Sequence, residues 1–525
     1  MYKILMTYDS QEGLDQLLNH PDFKVEVHAK PSPEEFKELI KDYDGLIIRS
    51  EVKVTEEIIG AAQKLKFIGR AGTGVDNVDK KAATQKGIVV SNVPGGNTIS
   101  VAEHTIGLIL SMARNIPAAV TSMQSQKWEK KKFMGNEIFG KTLGLIGLGR
   151  IGNEVAKRLL SFGMKVVAYD PFANAEVAKN NGIELTTLDE VFKQADYLSI
   201  HSPLTDDTRG MINKANIAKM KDGVRIINCA RGAIINDADL IEAVKSGKVA
   251  NAALDVFVKE PPVDWSVQTT PNIITTPHLA ASTEEAQVKI AIEMASVVID
   301  FFTKGLIRNA VNVATVDWDT QKQMMPYIEL ADKIGSFQGQ IIEGGISEIE
   351  LSYCGNVSEF KTNPLTVAYM KGILGQILDL KINSVNAISV AKERGINIKE
   401  VIVKDVKDYT NMILAKVKTD KGEYSIAGTL LDKQQRIVNI NGLNVDVKPE
   451  GHKIFINNTD KPGVIGTLGT LLGAASINIA GMNVGRKESG KQAVTVLEID
   501  GEVSNDVISK IAKVEGVTKV KNVVL

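Results

Sequence analysis

The hydrophobic and polar positions of the first 310 residues follow two alternating periods. Apolar residues recur every four positions in several segments, as at Ile151, Val155 and Leu159, which predicts amphipathic helices. Between them, short apolar runs end in Gly, Pro, Ser, Asn or Asp, and these predict strands at 3–7, 44–49, 66–70, 88–91, 143–147, 165–169, 196–200, 224–228, 250–256 and 272–275. Strands that alternate with helices predict parallel sheets covered on both faces, an α/β fold.

Two longer helical patterns interrupt this alternation. Residues 101–115 are apolar on most sides, which predicts a helix buried at a domain or subunit interface. The pattern at 283–304 follows Ser282 and Glu285, which fit a capping box, and it ends near Gly305. We interpret the two helices as the crossings between a discontinuous first domain and a second domain inserted into it.

A glycine-rich turn lies between a predicted strand and a predicted helix. The segment GLGRIG at 147–152 follows the apolar run TLGLI and opens the helix IGNEVAKRLL. Gly147 permits the tight turn, Gly149 lets a pyrophosphate approach the backbone, and Gly152 lets helix and strand pack closely. The free N–H groups of the helix N-terminus favour phosphates. This context predicts a dinucleotide-binding domain of the Rossmann type.

The next predicted strand, KVVAY, ends in Asp170. A carboxylate at this place accepts hydrogen bonds from both ribose hydroxyls of the cofactor and repels a 2′-phosphate, which favours NAD over NADP. The alternative is that Asp170 is only a turn residue before Pro171.

After about residue 315 the pattern changes, and the chain mixes helices at 325–341 and 364–378 with paired strands. From residue 451 the order is strand, helix, strand, strand, helix, strand, as in ferredoxin-like units. Four predicted domains result: a substrate-binding domain, a nucleotide-binding domain, an intervening α+β domain and a ferredoxin-like domain, at 1–95 with 285–313, 96–284, 316–446 and 451–525.

Arg231, Glu260 and His278 each follow a short apolar strand. Ligands of open α/β sheets bind at the carboxyl ends of the strands, so we expect these three side chains to share one site. His278 suits the base that removes a hydroxyl proton during alcohol oxidation, because imidazole titrates near neutral pH. Glu260 would fix its tautomer and raise its pKa, and Arg231 would grip a substrate carboxylate.

Each residue of this trio also has a structural alternative. A histidine is often structural, a glutamate before two prolines is usually a loop residue, and an arginine before glycine often lies in a solvated turn. The combination with the glycine turn favours oxidation of a 2-hydroxy acid next to a nicotinamide.

The amino-acid composition argues against several kinds of binding partner and cellular setting. The formal net charge of −1 gives no general attraction to nucleic acid or to an anionic membrane. The two cysteines are too few for a disulfide framework, which favours a cytoplasmic setting. No apolar run reaches the roughly 18 residues of a membrane span, and no metal site is predicted.

The glycine turn and the trio resemble the D-isomer-specific 2-hydroxyacid dehydrogenases. Further segments resemble the long-form members of that family, namely GRAGTGVDNVD, PGGNTISVAEHT, KWEKKKFMG and HSPLTDDTRG at 69–79, 94–105, 127–135 and 201–210. The resemblance implies a flavodoxin-like substrate domain, an intervening domain and a regulatory ACT domain. It also implies NAD-dependent oxidation of 3-phospho-D-glycerate to 3-phosphohydroxypyruvate, the first step of L-serine biosynthesis, by a homo-oligomer, a dimer or a tetramer.

The resemblance also assigns site residues. Besides the glycines and Asp170, it implies that the cofactor contacts Thr73, Arg150, Ile151, Ser202, Cys229, Ala230, Arg231 and Asp255. For the substrate it implies Arg49 at the phosphate with Ser50 beside it, Asn97 at the carboxylate side, and Lys130 reaching the phosphate, in a neighbouring subunit or not. Lys130 has an equal alternative as part of a solvated charge run.

In the ACT domain, the turns that carry Asn458, Asp460 and Asn478 resemble a site for an L-serine effector between two subunits. This chain departs from the serine-sensitive pattern, which has His and Asn at the first two positions. The alternative is that Asn458 and Asp460 cap the following helix.

Two other functions remain open from the sequence. One is a related dehydrogenase that acts on glycerate, glyoxylate or another 2-hydroxy acid, against which Arg49 and the two additional domains argue. The other is an NAD-sensing regulatory protein, because a fold does not determine a function.

Overall fold

The computed structural model describes residues 1–10, 12–313, 318–404, 409–432, 434–488 and 491–525. Its strands are, in chain order, β1 Tyr2–Met6, β2 Phe23–Val27, β3 Gly45–Ile48, β4 Phe67–Arg70, β5 Val89–Ser91, β6 Thr142–Ile146, β7 Lys165–Tyr169, β8 Ile183–Leu185, β9 Tyr197–Ile200, β10 Val224–Asn228, β11 Val249–Leu254, β12 Ile273–Thr275, β13 Ile346–Gly355, β14 Asn397–Val403, β15 Asn411–Thr419, β16 Gly422–Leu431, β17 Gln434–Ile440, β18 Leu443–Val447, β19 His452–Thr459, β20 Ile479–Arg486, β21 Gln492–Ile499 and β22 Val517–Val524.

The α-helices are, in the same order, α1 Asp15–Leu18, α2 Pro33–Leu39, α3 Glu56–Ala61, α4 Lys80–Gln85, α5 Thr98–Ala113, α6 Ile116–Gln124, α7 Arg150–Ser161, α8 Ala175–Asn180, α9 Leu188–Gln194, α10 Lys214–Ala218, α11 Asp237–Lys245, α12 Ser266–Thr269, α13 Glu284–Lys304, α14 Trp318–Ile341, α15 Asn363–Ile377, α16 Ala387–Glu393, α17 Val464–Ala474 and α18 Asn505–Ala512.

The N-terminal unit is a parallel sheet in the order β2-β1-β3-β4-β5. Helix α13, far along the chain, returns to cover one of its faces, and its Ile290, Met294 and Val298 join the core with Ile4 and Ile47. The strands are apolar and buried because both faces of the sheet are covered. Their carboxyl ends therefore lie together at one edge, where polar side chains can meet a ligand.

The second unit is a parallel sheet of seven strands in the order β12-β11-β10-β9-β6-β7-β8. The strand order reverses at β6, where the chain returns to the middle of the sheet. A crevice at such a reversal is where doubly wound folds bind nucleotides. The glycine turn follows β6, so the expected cofactor site lies at this point.

The third unit combines a six-stranded sheet, β14-β13-β15-β16-β17-β18, with α14 and α15 packed together on it. The C-terminal unit is a four-stranded antiparallel sheet, β20-β21-β19-β22, with α17 and α18 on one face. The order β19-α17-β20-β21-α18-β22 confirms the ferredoxin-like expectation. The predicted fold class is confirmed, while the limits of the predicted domains stay a prediction, and their boundary at 314–316 lies outside the described residues.

The other face of the C-terminal sheet packs on the third unit. Phe455 of β19 meets Phe337 of α14 edge to face, with ring centroids 6.2 Å apart at an interplanar angle of 90°. Val494, Val496 and Val523 lie in the same hydrophobic core as Phe337. One continuous core therefore joins the two units.

Of the two expectations about long helices, one was wrong in detail and the other is tested only in part. The N-cap of α13 is Thr283, whose hydroxyl accepts a hydrogen bond from the Ala286 amide, so Ser282 forms no capping box there. Helix α5 is buried as expected, in the core of the second unit against α7, and its place at a subunit interface stays a prediction. Among the described residues no single helix is long and apolar enough to cross a membrane, and only the pair α5 and α6, bent by 66°, meets the length and composition together.

Candidate active site

The glycine turn has the geometry that a dinucleotide needs. Gly147 has a φ of 97°, in the left-handed region that favours glycine. A Cβ added to Gly152 would lie 2.3 Å from the carbonyl oxygen of Gly147, so only glycine fits there. A Cβ added to Gly149, the N-cap of α7, would meet no described atom within 4 Å. The open space above the helix N-terminus fits a pyrophosphate, and the residues present therefore suit NAD.

Asp170 follows β7 and is anchored to the glycine turn. One carboxylate oxygen accepts a hydrogen bond of 2.8 Å from the Leu148 amide, and the other accepts one of 2.8 Å from the Phe172 amide. The alternative of a turn residue is thus partly right, because Asp170 does close the turn. Each oxygen keeps a second lone pair, so the position still suits a ribose hydroxyl.

Other expected cofactor residues surround the same edge. The Ser202 hydroxyl is buried and has no hydrogen-bond partner among the described residues, as expected of a group that a cofactor would satisfy. Thr73 donates a hydrogen bond of 2.8 Å to Asn97, so these two predicted residues pair with each other. Ile151 packs against the core of the second unit, where its backbone forms the first turn of α7. Burial raises the pKa of the Cys229 thiol to about 12, which keeps it protonated and unreactive.

His278 and Glu260 form the predicted pair. The Nδ1 atom of His278 lies 2.7 Å from a carboxylate oxygen of Glu260, and the other oxygen accepts a hydrogen bond of 3.0 Å from the Phe257 amide. The hydrogen bond to Glu260 raises the pKa of His278 above its usual value, against the effect of burial. Burial acts to raise the pKa of Glu260, but the hydrogen bonds outweigh it and lower that pKa. The geometry leaves Nε2 of His278 to act as acid or base.

The segment that carries His278 is held by Asp255, whose side chain is fully buried. Its carboxylate accepts hydrogen bonds from Thr276 at 2.6 Å and from the Leu279 and Ala280 amides at 2.7 and 2.9 Å. The Nε2 atom of His104 lies 3.3 Å away. Burial acts to raise the pKa of Asp255, but these hydrogen bonds lower it, so the carboxylate stays charged. Asp255 therefore holds the segment that carries His278.

Arg231 spans the two sheets. Its Nε donates a hydrogen bond of 2.8 Å to Asp76 of the N-terminal unit, and Nη1 donates one of 2.7 Å to the Ala230 carbonyl. The buried amide of Asn228 binds the Ala230 amide and the Arg231 carbonyl, at 2.9 Å each. This brace fixes the backbone that carries Arg231, and the positive charge of Arg231 acts to lower the pKa of His278.

A second group of cations lies at the carboxyl edge of the N-terminal sheet. Arg49 follows β3, and its guanidinium carbon lies 4.3 Å from the ring centroid of Tyr8. Arg70 ends β4, the neighbouring strand, and burial together with repulsion from Arg231 and Arg49 lowers its pKa. Arg49 and Arg70 therefore lie at the carboxyl ends of neighbouring strands, and the charge of Arg231 also acts on Arg70, an arrangement that suits a doubly or triply charged anion.

Sequence reasoning identified Arg49 and Arg231 but not Arg70 or Asp76, although both missed residues lie in or beside the segment GRAGTGVDNVD. The available signal for Arg70 was its place at the end of a strand. Ser50 is exposed beside Arg49, and Arg150 lies against Gly95.

Lys130 is exposed in a short 3-10 helix, Lys130–Phe133, that leads from α6 into β6. Its ammonium group forms no hydrogen bond or ion pair with another described residue.

The three expected effector residues do not meet within one chain. Asn458 is buried and accepts a hydrogen bond of 2.9 Å from Thr495, while Asp460 pairs with Arg486. Asn478 donates a hydrogen bond of 2.7 Å to Asp500, at the opposite end of β21. That strand has eight residues and spans about 25 Å at its usual rise. The capping alternative was wrong, because the N-cap of α17 is Gly463 without a side-chain hydrogen bond.

No group of three or more His, Cys, Asp or Glu side chains within the described part of the chain has the arrangement of a metal site.

Comparisons with known proteins agree with this geometry. The family model "D-isomer specific 2-hydroxyacid dehydrogenase, NAD binding domain" matches residues 106–280. An NAD-dependent formate dehydrogenase from Staphylococcus aureus, solved in complex with NAD, is similar with a TM-score of 0.55 and 30% identity over 60% of this chain and 100% of that one. The D-lactate dehydrogenase of Escherichia coli is similar with a TM-score of 0.54 and 28% identity over 59% of this chain and 99% of that one. The fold and these matches assign the chain to the class of D-isomer-specific 2-hydroxyacid dehydrogenases.

The remaining matches cover the rest of the chain. Residues 323–441 match the model "D-3-phosphoglycerate dehydrogenase intervening domain", and residues 452–516 match the ACT domain. The D-3-phosphoglycerate dehydrogenase of Bacillus subtilis is 42% identical over 99% of both chains, and that of Archaeoglobus fulgidus is 44% identical over 97% of both. The chain belongs to the D-3-phosphoglycerate dehydrogenase family.

Proposed function

We propose that the chain catalyses the NAD-dependent oxidation of 3-phospho-D-glycerate to 3-phosphohydroxypyruvate, the first step of L-serine biosynthesis. The observation that carries this proposal is the pair of His278 and Glu260, with 2.7 Å between Nδ1 and the carboxylate, beside Arg231. Full-length relatives that bear the name D-3-phosphoglycerate dehydrogenase support the choice of substrate.

The chemistry divides among the three residues. The bound nicotinamide supplies the acceptor for the hydride that leaves C2 of the substrate. His278 takes the proton of the C2 hydroxyl at Nε2 as the carbonyl forms, and Glu260 stabilises the resulting imidazolium through Nδ1. Arg231 holds the substrate carboxylate through its planar guanidinium and orients C2 toward the cofactor. In the reverse direction protonated His278 returns the proton.

The arginine group suits the substrate phosphate. Arg49 and Arg70 lie at the ends of neighbouring strands, with Ser50 beside the first. Asn97, which accepts a hydrogen bond from Thr73, would contact the carboxylate side of the substrate. We propose that Lys130, an exposed cation in this chain, reaches the phosphate bound by a neighbouring copy. Asp170 at the ribose favours NAD over NADP, because a 2′-phosphate would meet its charge.

The test compares 3-phosphoglycerate with glycerate by NADH formation at 340 nm. We expect a strong preference for the phosphorylated substrate, and Arg49→Met should raise KM for it roughly tenfold or more while changing KM for glycerate little. His278→Ala should lower turnover with both substrates by roughly 10²–10⁴. Equal rates with both substrates in the unmodified enzyme would contradict the assigned substrate, and a His278→Ala enzyme within a few-fold of normal would contradict the assigned base.

We also infer a cytoplasmic homo-oligomer with an effector site for L-serine at its ACT domains. The cytoplasmic location is supported by the two cysteines, which are free and buried. Helix α6 exposes Ile116, Val120 and Met123, apolar residues that a second copy would cover. The separation of Asn478 from Asn458 along β21 suits a site shared between two copies. A monomeric mass by light scattering would contradict the homo-oligomer. Full activity in millimolar serine would contradict the effector site.

A further inference from the structure

Four buried polar atoms near the carboxyl ends of β1, β3 and β4 have no hydrogen-bond partner among the described residues. They are Thr7 Oγ1, Tyr8 Oη, Arg49 Nε and Arg70 Nε. The three strands are neighbours in the sheet. Buried polar groups in proteins are nearly always paired, so a cluster of unpaired ones indicates a ligand that carries several acceptors.

Tyr8 is the most enclosed large side chain of this cluster, with only 6% of its surface exposed. Its ring packs in the core of the N-terminal unit and forms the surface on which the Arg49 guanidinium stacks, 4.3 Å from the ring centroid. Burial raises the pKa of Tyr8, and the Arg49 guanidinium opposes that rise as a charge and as a donor close to the hydroxyl oxygen. Arg49 can only donate, so the phenol keeps its own O–H to donate at neutral pH. The side chain therefore offers both a platform for the cation and a donor beside it.

Packing alone does not account for the hydroxyl. A phenylalanine would supply the same ring to the core and to Arg49. Tyr43 in the same unit shows how a buried tyrosine hydroxyl is usually paired, because it donates a hydrogen bond to Glu26. The Tyr8 hydroxyl has no such acceptor within the described chain.

We propose that Tyr8 is a substrate-binding residue whose hydroxyl donates a hydrogen bond to a phosphate oxygen of the substrate and whose ring positions Arg49 against that phosphate. The proposal rests on the proposed function, since it assumes a phosphorylated 2-hydroxy acid at this edge. Three donors, two guanidinium groups and one phenol, then face the three terminal oxygens of the phosphate. The phenol also distinguishes a phosphate from a smaller neutral group, which would leave it unpaired.

The experiment uses the full chain and three variants. Tyr8→Phe removes only the hydroxyl, Tyr8→Leu removes the hydroxyl and the aromatic platform, and Tyr43→Phe is the matched control that removes a buried hydroxyl elsewhere in the unit. Each is measured for KM and kcat with 3-phosphoglycerate, for KM with glycerate and NAD, and for inhibition by inorganic phosphate against 3-phosphoglycerate.

We expect Tyr8→Phe to raise KM for 3-phosphoglycerate and Ki for inorganic phosphate by roughly tenfold or more, with KM for glycerate and NAD within about twofold of normal. Tyr8→Leu should raise the same two constants further, because Arg49 loses its support. Tyr43→Phe should change none of these constants.

Two outcomes separate this inference from the proposed function. If the unmodified enzyme prefers 3-phosphoglycerate, Arg49→Met abolishes that preference and Tyr8→Phe leaves it intact, the role of Tyr8 is overturned and the function stands. If the unmodified enzyme does not distinguish 3-phosphoglycerate from glycerate, both fail. An equal rise of KM for glycerate in Tyr8→Phe would show a general packing defect and would also overturn the role of the hydroxyl.

Discussion

At the scale of single residues, the basicity of His278 depends on one neighbour. The hydrogen bond from Nδ1 to Glu260 raises the pKa of the imidazole, and burial opposes it. Oxidation requires the unprotonated base, so kcat/KM should increase with pH through this pKa. Glu260→Gln removes the charge and lowers the pKa, so the acidic limb of the profile should move to lower pH as maximal turnover falls. A profile of kcat/KM for 3-phosphoglycerate across the acidic and neutral range measures this shift.

The matched control is His20→Asn, which removes a surface histidine of the N-terminal unit whose ring lies 3.9 Å from Asp22. It should leave the profile unchanged. If the acidic limb of the kcat/KM profile stays at the same pH in Glu260→Gln, that limb reflects the titration of a group other than His278.

Asp170 carries the prediction of cofactor preference. Both carboxylate oxygens already accept amide hydrogen bonds, so Asp170→Ala would damage the turn as well as the preference. Asp170→Asn keeps one acceptor and removes the charge, and we expect the ratio of kcat/KM for NAD to that for NADP to fall by about tenfold or more. Glu176→Gln, an exposed carboxylate in α8, is the control. An unchanged ratio in Asp170→Asn would exclude charge repulsion as the source of the preference.

The sequence was sufficient to predict site residues that directly follow an apolar strand. It was not sufficient to predict the residues that those side chains contact. His278 and Glu260 each follow an apolar run, and that position along the chain is enough to indicate a shared site. Asp76 gave no such signal, and Tyr8, although it follows the predicted strand 3–7, carries no charge that singles it out. Both gain their importance from Arg231 and Arg49, which lie far away in the chain. The contacts of these partners depend on how the sheets are placed, and periodicity carries no information about that.

At the scale of elements, the glycine turn and α7 permit a test that separates folding from binding. Gly149 has open space where an added methyl group would lie and an ordinary φ of −74°, so Gly149→Ala should fold normally and lose affinity for NAD. Gly152→Ala places its methyl 2.3 Å from the Gly147 carbonyl oxygen, which should destabilise the second unit by roughly 1–3 kcal/mol as well. Thermal unfolding without cofactor and titration with NADH measure the two effects.

The two variants should therefore differ in unfolding temperature, whereas both should bind NADH more weakly. If Gly149→Ala unfolds as early as Gly152→Ala, the open space is needed by the protein itself and not by a pyrophosphate. Unimpaired NADH binding in Gly149→Ala would place the pyrophosphate elsewhere.

The parts of the fold that could be predicted were the helices and strands with a clear hydrophobic periodicity. The alternation of strands and helices indicated the parallel sheets, and the ferredoxin-like order was predicted correctly. Strands β2 and β8 were missed because their apolar residues alternate with charged ones, in FKVEV and IEL, whereas the predicted strands were recognised as mainly apolar runs. The start of α13 was placed one residue early because Ser282 and Thr283 are both good caps, and only the backbone decides between them.

At the scale of the whole molecule, the third and C-terminal units share a core, and the third unit contacts the N-terminal unit. Asn383 donates a hydrogen bond of 2.8 Å to the Gly87 carbonyl, and Gln85 donates one of 3.0 Å to Glu393. Val385 packs into the core of the N-terminal unit. A continuous path of contacts therefore leads from the ACT domain through the third unit to the loop before β5, close to the residues that lead to Asn97.

The shared core predicts that the third and C-terminal units unfold together. Phe455 is 1% exposed and meets Phe337 across the boundary, so Phe455→Ala should cost roughly 3–5 kcal/mol. In calorimetry of the full chain, the transition of the joined units should move to lower temperature, while the transition that NADH raises should stay in place. Leu468→Ala, inside the C-terminal unit's own core, should lower the same joint transition. If either variant makes the C-terminal unit melt alone and leaves the third unit unchanged, the two units are separate cooperative domains, and an effector at the ACT domain would need another route to the active site.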